Sequence, residues 1–422
     1  MAMPEIDIES IRPVLLREDE WADWDEWEEF KGGWKSTGNS DWNEDFGSDC
    51  GDEEDEEIPI PLTQRVDVGG SAAKWSPGEF DSIAQRLAPT FSQEAAKGMA
   101  EGEDCIVMHI NDAQAAVFAV DWFPPVVDDP YEFGAISAVS ALAPLYAAGV
   151  KPITALNVMA LPCKMGVAMV GEVMRGGSEK VIEAGAFVVG GHSIDDDTPK
   201  YGLATFGIAP VDQIVRNDAV VPGDILFYTK LLGAGIMNES YRTSIEFARD
   251  MRQVVDSMLE LDKNASEVMR KFGVHGAVCV GSEGLAGHLH KLLETCGASA
   301  VVQWDALPLF DRAWQRCCEG HRPARTAKNV AWARQFIELG DFEADSDWGS
   351  RYEVPKRMTV SEADADARLA ILCDPQTSGG MIVAIPADQA DAFAEAFEAS
   401  LGRSPARIGD VVAGDAGAIR VI

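Results

Sequence analysis

VDWFPPVVDDPYEFGAISAVSALAPLYAAGVKPITALN, residues 120–157, decides the fold class. Its opening residues finish the apolar run AAVFAVDWF at 115–123, which reads as a β-strand closed by Pro124 and Pro125. Tyr131 to Ala148 reads as a helix, being far longer than an ordinary strand, and Ile153 to Leu161 reads as a second strand. Downstream, Gly166 to Ala184 is expected to be an amphipathic helix closed by Gly185. Ala186 to Val189 is expected to be a strand entering GGHS, and Tyr201 to Ile208 a strand running back. Strands alternating with helices in this way predict a layered α/β (α+β) architecture.

A second unit is expected from about Val211. It holds a strand at Asp224–Tyr228, a helical stretch from Glu239 to Leu261, a helix at Leu285–Thr295 and a strand at Ala298–Val302. The closing LAILCDPQTSGGMIVAIPADQADAFAEAFEASLG reads as strand, polar loop, strand and helix, while Asp305 to Met358 is polar and yields no assignment. The expected domains are therefore an acidic tail over 1–57, an N-terminal α/β domain over 58–210 and a C-terminal α/β domain over 211–422.

Composition narrows the function. The 422 residues are 46% hydrophobic, enough for a packed core, and carry a formal net charge of −35. That charge argues against nucleic acid or an anionic membrane as partner, since either polyanion would be repelled. No apolar run approaches the roughly 18 residues needed to span a bilayer, and the start lacks a signal-peptide plan, so a cytoplasmic location is expected. The eight cysteines contain no CxxC pair. Most are expected to be small buried hydrophobes, with adjacent Cys317 and Cys318 the one pair open to a soft-metal reading. The first 57 residues hold 21 acidic and 4 basic side chains, a composition that predicts disorder. Trp21, Trp24 and Trp27, spaced by three, would line one side of a transient helix there. The segment is either a solvated acidic tail or a docking element for a basic, grooved protein partner.

Four glycine-bearing loops stand out: VGGSAAKWSP at 68–77, VGGHSIDDD at 189–197, CVGSEG at 279–284 and DPQTSGG at 374–380. Such loops let backbone N–H groups approach phosphate oxygens, although none is a Walker A or a GxGxxG loop. Asp104, Asp121, Asp128 and Asp129 gather around the strand at 115–123, and hard cations such as Mg²⁺ take such oxygens together with substrate phosphates. Asp121 interrupts an apolar run, so it must be ion-paired or metal-bound.

These strings, with VGGHSIDDDTPKYGLATFGIAP, PGDILFYTK and GLAGHL, resemble the selenophosphate synthetase (selenide, water dikinase) family across nearly all of residues 60–422. The resemblance implies an aminoimidazole-ribonucleotide-synthetase-like fold with ATP bound between two α/β domains, a homodimer joined through the N-terminal sheets, and Mg²⁺ as cofactor. It implies a reaction in which ATP, selenide and water give selenophosphate, phosphate and AMP. In the family's mobile N-terminal loop a cysteine or selenocysteine precedes a catalytic lysine by three. Here Ser71 holds the nucleophile position and Lys74 the lysine. Asp104 and Asp121 match metal carboxylates, and Gly191, His192 and Ser193 match a nucleotide-contacting turn. Other positions depart: Pro144 and Cys279 replace aspartates, Ser140 replaces an asparagine, and Glu101, Gly102 and Glu103 replace an arginine-containing run near ATP. Serine is a poor substitute for an ionisable sulfur. Three functions stay open: an active synthetase, a catalytically impaired paralogue that regulates or dimerises with a relative, and phosphoryl transfer to another acceptor. Glu283 is a possible replacement carboxylate or a surface residue.

Overall fold

In the computed structural model, residues 61–75, 105–243, 248–345, 348 and 350–422 are described. The expected tail over 1–57 lies outside them, as do Glu101, Gly102, Glu103 and Asp104. After two short 3₁₀ turns, Leu62–Arg65 and Gly70–Ala73, the chain forms β1 (Ile106–His109), β2 (Gln114–Phe123), α1 (Pro130–Ala147), β3 (Pro152–Ala160), α2 (Val167–Glu183), β4 (Phe187–Ile194) and β5 (Lys200–Pro210). Among the described residues these strands make a five-stranded sheet in the order β1-β2-β5-β3-β4, antiparallel except for β3 beside β4.

Helix α1 is the pivot of this half. Asp129 caps its N-terminus by accepting from the Glu132 N–H at 2.8 Å, and Pro130, which has no N–H to leave unsatisfied, begins it. Fourteen of its residues are buried, so it has no polar face: the sheet covers one side and neighbouring helices cover the rest. Helix α2 approaches it at glycines. A methyl on Gly134 would stand 1.8 Å from the Val173 carbonyl oxygen, and one on Gly176 would stand 2.0 Å from that of Tyr131. Two backbones meet there with no room for a side chain.

The second half contains β6 (Ile225–Tyr228), α3 (Ala234–Thr243), α4 (Ala248–Leu259), α5 (Lys263–Met269), β7 (Gly276–Cys279), α6 (Gly284–Cys296), β8 (Ser299–Val302), α7 (Ala313–Cys318), α8 (Ala324–Ala333), β9 (Ile337–Leu339), α9 (Val360–Leu372), β10 (Met381–Ile385), α10 (Ala390–Leu401), β11 (Ala406–Val412) and β12 (Ile419–Val421). Its strands join, among the described residues, in the order β7-β10-β6-β11-β8-β12-β9. Strand β10 lies between β7 and β6 and is buried at all five positions, as its unbroken MIVAI predicts.

Several expectations need correction. LAILC is not a strand but the buried end of α9, whose capping box runs between Thr359 and Glu362. The stretch expected as one helix over 239–261 holds two, α3 and α4, and GGHS is extended strand within β4 rather than a turn. The unassigned 305–358 contains α7, α8 and β9. Cys317 and Cys318 are buried, which pushes both thiols up, and no metal-ligating cluster occurs among the described residues, so they act as apolar packing.

Gly134→Ala is expected to destabilise the protein by about 2 kcal/mol. A cost of up to about 3 kcal/mol for wedging α1 from α2 exceeds the gain of about 1 kcal/mol in helix propensity. Urea unfolding checks this, and a variant as stable as the parent would show that the helices separate freely.

Candidate active site

An open cleft lies between the two halves. One wall is the end of β2 and the inner face of α1, contributing Asp121, Ser140 and Pro144; the other is the β7–α6 turn, contributing Cys279, Gly281 and Ser282. The loop with Ser71 and Lys74 and the loop with Gln376, Ser378 and Gly379 complete it. Six residues singled out from sequence, Ser71, Lys74, Asp121, Ser140, Pro144 and Cys279, therefore converge, although Cys279 is 158 positions beyond Asp121.

Asp121 is fully engaged. Its Oδ1 lies 2.7 Å from Lys74 Nζ, and its Oδ2 accepts from Ser140 Oγ at 2.7 Å. The carboxylate is 13% exposed and the lysine side chain 32%, so water screens this pair less than a surface pair. Ser140 thus supports the carboxylate from α1. Pro144, one turn on, does not end the helix, which continues to Ala147. Having no N–H, it leaves the Ser140 carbonyl without its usual intrahelical donor on the wall of the cleft.

Ser71 is 1% exposed; its N–H donates to Thr377 Oγ1 at 3.0 Å, and its Oγ has no hydrogen-bond partner among the described residues. Among the described residues no base is hydrogen-bonded to the hydroxyl to activate it as a nucleophile.

Gly191, His192 and Ser193 are not brought to the cleft. Register places Trp122, Gly202, Val158 and His192 in one row across β2, β5, β3 and β4. His192 is exposed on the same open sheet face as Trp122, three strand spacings away or about 14 Å, whereas Asp121 faces α1. Asp128 and Asp129 serve structure: Asp128 accepts from Thr63 and from the Tyr241 hydroxyl, and Asp129 caps α1. Glu283 is neither a surface residue nor part of the cleft wall. It is 8% exposed and pairs with Lys291 at 2.6 Å; burial opposes its charge, but Lys291 and other cations hold its carboxyl below the usual range.

The 374–380 loop supplies what the sequence reading flagged only as glycine-rich. Gln376 Oε1 accepts from the Gly233 and Ala234 N–H groups, and Asp374 Oδ2 accepts from those of Gly235 and Ile236, fastening the loop to the start of α3. Buried Lys230 donates to the Ser378 carbonyl at 3.3 Å and to that of Glu260 at 2.8 Å, beside buried Asp262. Spacing alone gave no signal for these contacts.

Comparison with known proteins follows this geometry. The model of the AIR synthase related protein N-terminal domain matches residues 102–209, and that of the C-terminal domain matches 221–422. The fold is shared with AaThiL complexed with AMPPCP and TMP (TM-score 0.55, 14% identity, 83% of this chain and 96% of that one). It is shared also with the hydrogenase maturation protein HypE in complex with ATP (TM-score 0.51, 15% identity, 83% and 92%). The chain is thus an AIR-synthase-related protein of two domains. It is 34% identical over 362 residues to selenide, water dikinase of Carboxydothermus hydrogenoformans, covering 86% of this chain and 98% of the relative. Identity to that of Myxococcus xanthus is 32% over 358 residues, covering 84% and 96%. Within the AIR-synthase-related class, the chain belongs to the selenide, water dikinase family.

Burial pushes the Asp374 carboxyl up to about 8 from 3.8, against the Ile236 N–H, the Gln376 amide and the Gly235 N–H, all of which favour the anion. The folded protein keeps a proton that the unfolded chain releases. The contribution is full below about pH 4 and is lost as pH rises through about 8. Urea unfolding at pH 5 and pH 8 is expected to show the parent losing stability toward pH 8 relative to Asp374→Asn. Identical pH dependence in the two would remove Asp374 as the cause.

Proposed function

We propose that the protein is a selenide, water dikinase, converting ATP, selenide and water to selenophosphate, phosphate and AMP in the cleft between its halves. The observation that carries this is the Lys74–Asp121 pair at 2.7 Å, a cation and a carboxylate held on a glycine-bearing loop and a strand end in a chain of this family. Phosphoryl transfer needs charge stabilisation and positioning more than covalent help from the protein, and a lysine on a short loop supplies a point cation for the transferring oxygens. The Ser71 hydroxyl, buried at the cleft and without a hydrogen-bond partner among the described residues, is left to donate to a substrate oxygen; selenide itself, a soft and strong nucleophile, attacks phosphorus.

Asp121 is the one carboxylate lining the cleft among the described residues, and one carboxylate is enough for a Mg²⁺ that arrives with nucleotide phosphates. Asp121 would hold the ion, and the ion would neutralise phosphate charge. Asp121 would then share its oxygens between the ion and Ser140, freeing Lys74 toward the phosphates. Near-full-length identity to relatives named for this activity supports turnover over the reading as an impaired paralogue, and the retained Lys74 and Asp121 support it further.

Association of two copies is part of the same proposal. The open face of the first sheet presents Ile106, Met108, Phe118, Val120, Trp122 and Leu156, all at least 36% exposed. A continuous apolar face of this kind is ordinarily covered. A second copy, laying its own sheet against it, covers both.

Two measurements test the proposal. AMP release from ATP and Mg²⁺ is expected to depend on selenide and to fall at least about a hundredfold in Lys74→Ala, the usual cost of losing a charge-stabilising group. Selenide-independent or absent AMP in the parent rejects the dikinase reading. In sedimentation equilibrium the parent is expected at twice its chain mass and Phe118→Asp at the chain mass; a monomeric parent rejects the pairing.

A further inference from the structure

Segment 62–75 carries both Ser71 and Lys74, yet its regular structure is two four-residue 3₁₀ turns. It cannot hold its shape alone and must be held from outside. Three fastenings do so near the cleft. The Gly70 N–H donates to the Pro124 carbonyl at 2.9 Å, the Ser71 N–H donates to Thr377 Oγ1 at 3.0 Å, and a buried arginine, Arg325, donates to the Trp75 carbonyl. Two of these come from the second half, Thr377 from 306 positions away and Arg325 from 250, while Asp121, the partner of Lys74, belongs to the first; of the two, only the Thr377 bond holds the loop ahead of Lys74, at the turn Gly70–Ala73. Lys74 is therefore held between the two walls of the cleft with Thr377 on its N-terminal side and Arg325 on its C-terminal side.

Thr377 is itself immobilised. Its neighbour Ser378 sits at φ +48°, donates from Oγ to the Ile136 carbonyl in α1 at 3.0 Å, and receives Lys230 on its own carbonyl. Against this post the loop fits with no slack. Gly70 has φ +59°, and a methyl there would stand 2.3 Å from Thr377 Oγ1 and 2.4 Å from Val126 Cγ1. The absent Cβ of Gly70 and the hydroxyl of Thr377 are complementary parts of one contact.

We infer that Thr377 is a positioning residue for the phosphoryl-transfer cation: by accepting the Ser71 N–H and abutting Gly70, it sets the closed position of the loop that presents Lys74. The inference deepens the dikinase reading, but its structural core stands without it. Thr377→Val keeps the shape and removes the acceptor, whereas Thr377→Ser keeps the acceptor. Gly70→Ala breaks the same contact from the other side, by a clash with Thr377 and Val126, and leaves the sequence of the 374–380 loop unchanged.

The test uses the full-length protein in brief trypsin digests, with mass spectrometry reading scission of the Lys74–Trp75 bond. Thr377→Val and Gly70→Ala are expected to be cut about five- to tenfold faster than the parent, the population shift that follows from losing about one hydrogen bond, and Thr377→Ser at close to the parent rate. Thermal midpoints confirm that each variant is folded. With selenide and ATP, Thr377→Val is expected to lose about tenfold in kcat for AMP with KM for ATP within about twofold, and Thr377→Ser to recover most of it. Equal cleavage of Thr377→Val and the parent overturns the inference, as does a Gly70→Ala loop cut no faster than the parent's. A parent that makes no AMP overturns the dikinase reading instead, and the order of cleavage rates still decides the role of Thr377.

Discussion

The cleft depends on one carboxylate placed where carboxylates are costly. Asp121 stands near the end of a strand, between exposed Val120 and Trp122, and points to the other face, toward a helix with no polar face. Unpaired there, it would forfeit its hydration with nothing in return. Ser140 from the helix and Lys74 from the loop each meet one of its oxygens at 2.7 Å, so the same charge ties sheet, central helix and loop together. The electrostatic need of a single strand-end residue explains why an otherwise irregular segment returns to the sheet at this point.

The second half answers with rigidity of another kind. Loop 374–380 has no secondary structure, yet its side chains and backbone reach α1, β6, the start of α3 and buried Lys230. Lys230 and Asp262 are a buried ion pair whose worth in stability is small or negative once desolvation is counted. Burial raises the Asp262 carboxyl while Lys230 opposes that shift. What the lysine adds is geometry, two carbonyls held by one ammonium at a corner where the loop meets the end of α4.

What could be read from sequence follows from how far each partner lies along the chain. Strand β2, helix α1 and strand β3 were legible because their periodicity and breakers are local, and Lys74, Asp121 and Cys279 because short strings carry them. LAILC was misread because five apolar residues fit a strand and a buried helix end equally; the deciding signal, Thr359 and Glu362 as a capping box, lies up to fourteen positions upstream. Helices α7 and α8 were missed because their burial is set by α3, α6 and α9, none of them adjacent in sequence. Thr377 could not be found at all, its partner being 306 residues away.

A net charge of −35 would repel a nucleotide with roughly four negative charges if all of it acted at the cleft. Screening resolves this, because at physiological salt exposed charges more than about 8 Å away are largely silent. What phosphates bound as proposed would meet is the lining of the cleft. There, among the described residues, Lys74 is the only lysine or arginine and Asp121 the only carboxylate, and they cancel while paired. On the function proposed above, a divalent cation arriving with the nucleotide would change that balance, since it would compete for Asp121 and leave the ammonium without a counter-charge. In that proposal the arrival of substrate charge would turn Lys74 from a structural cation, paired with Asp121, into one available to the transferring phosphoryl group.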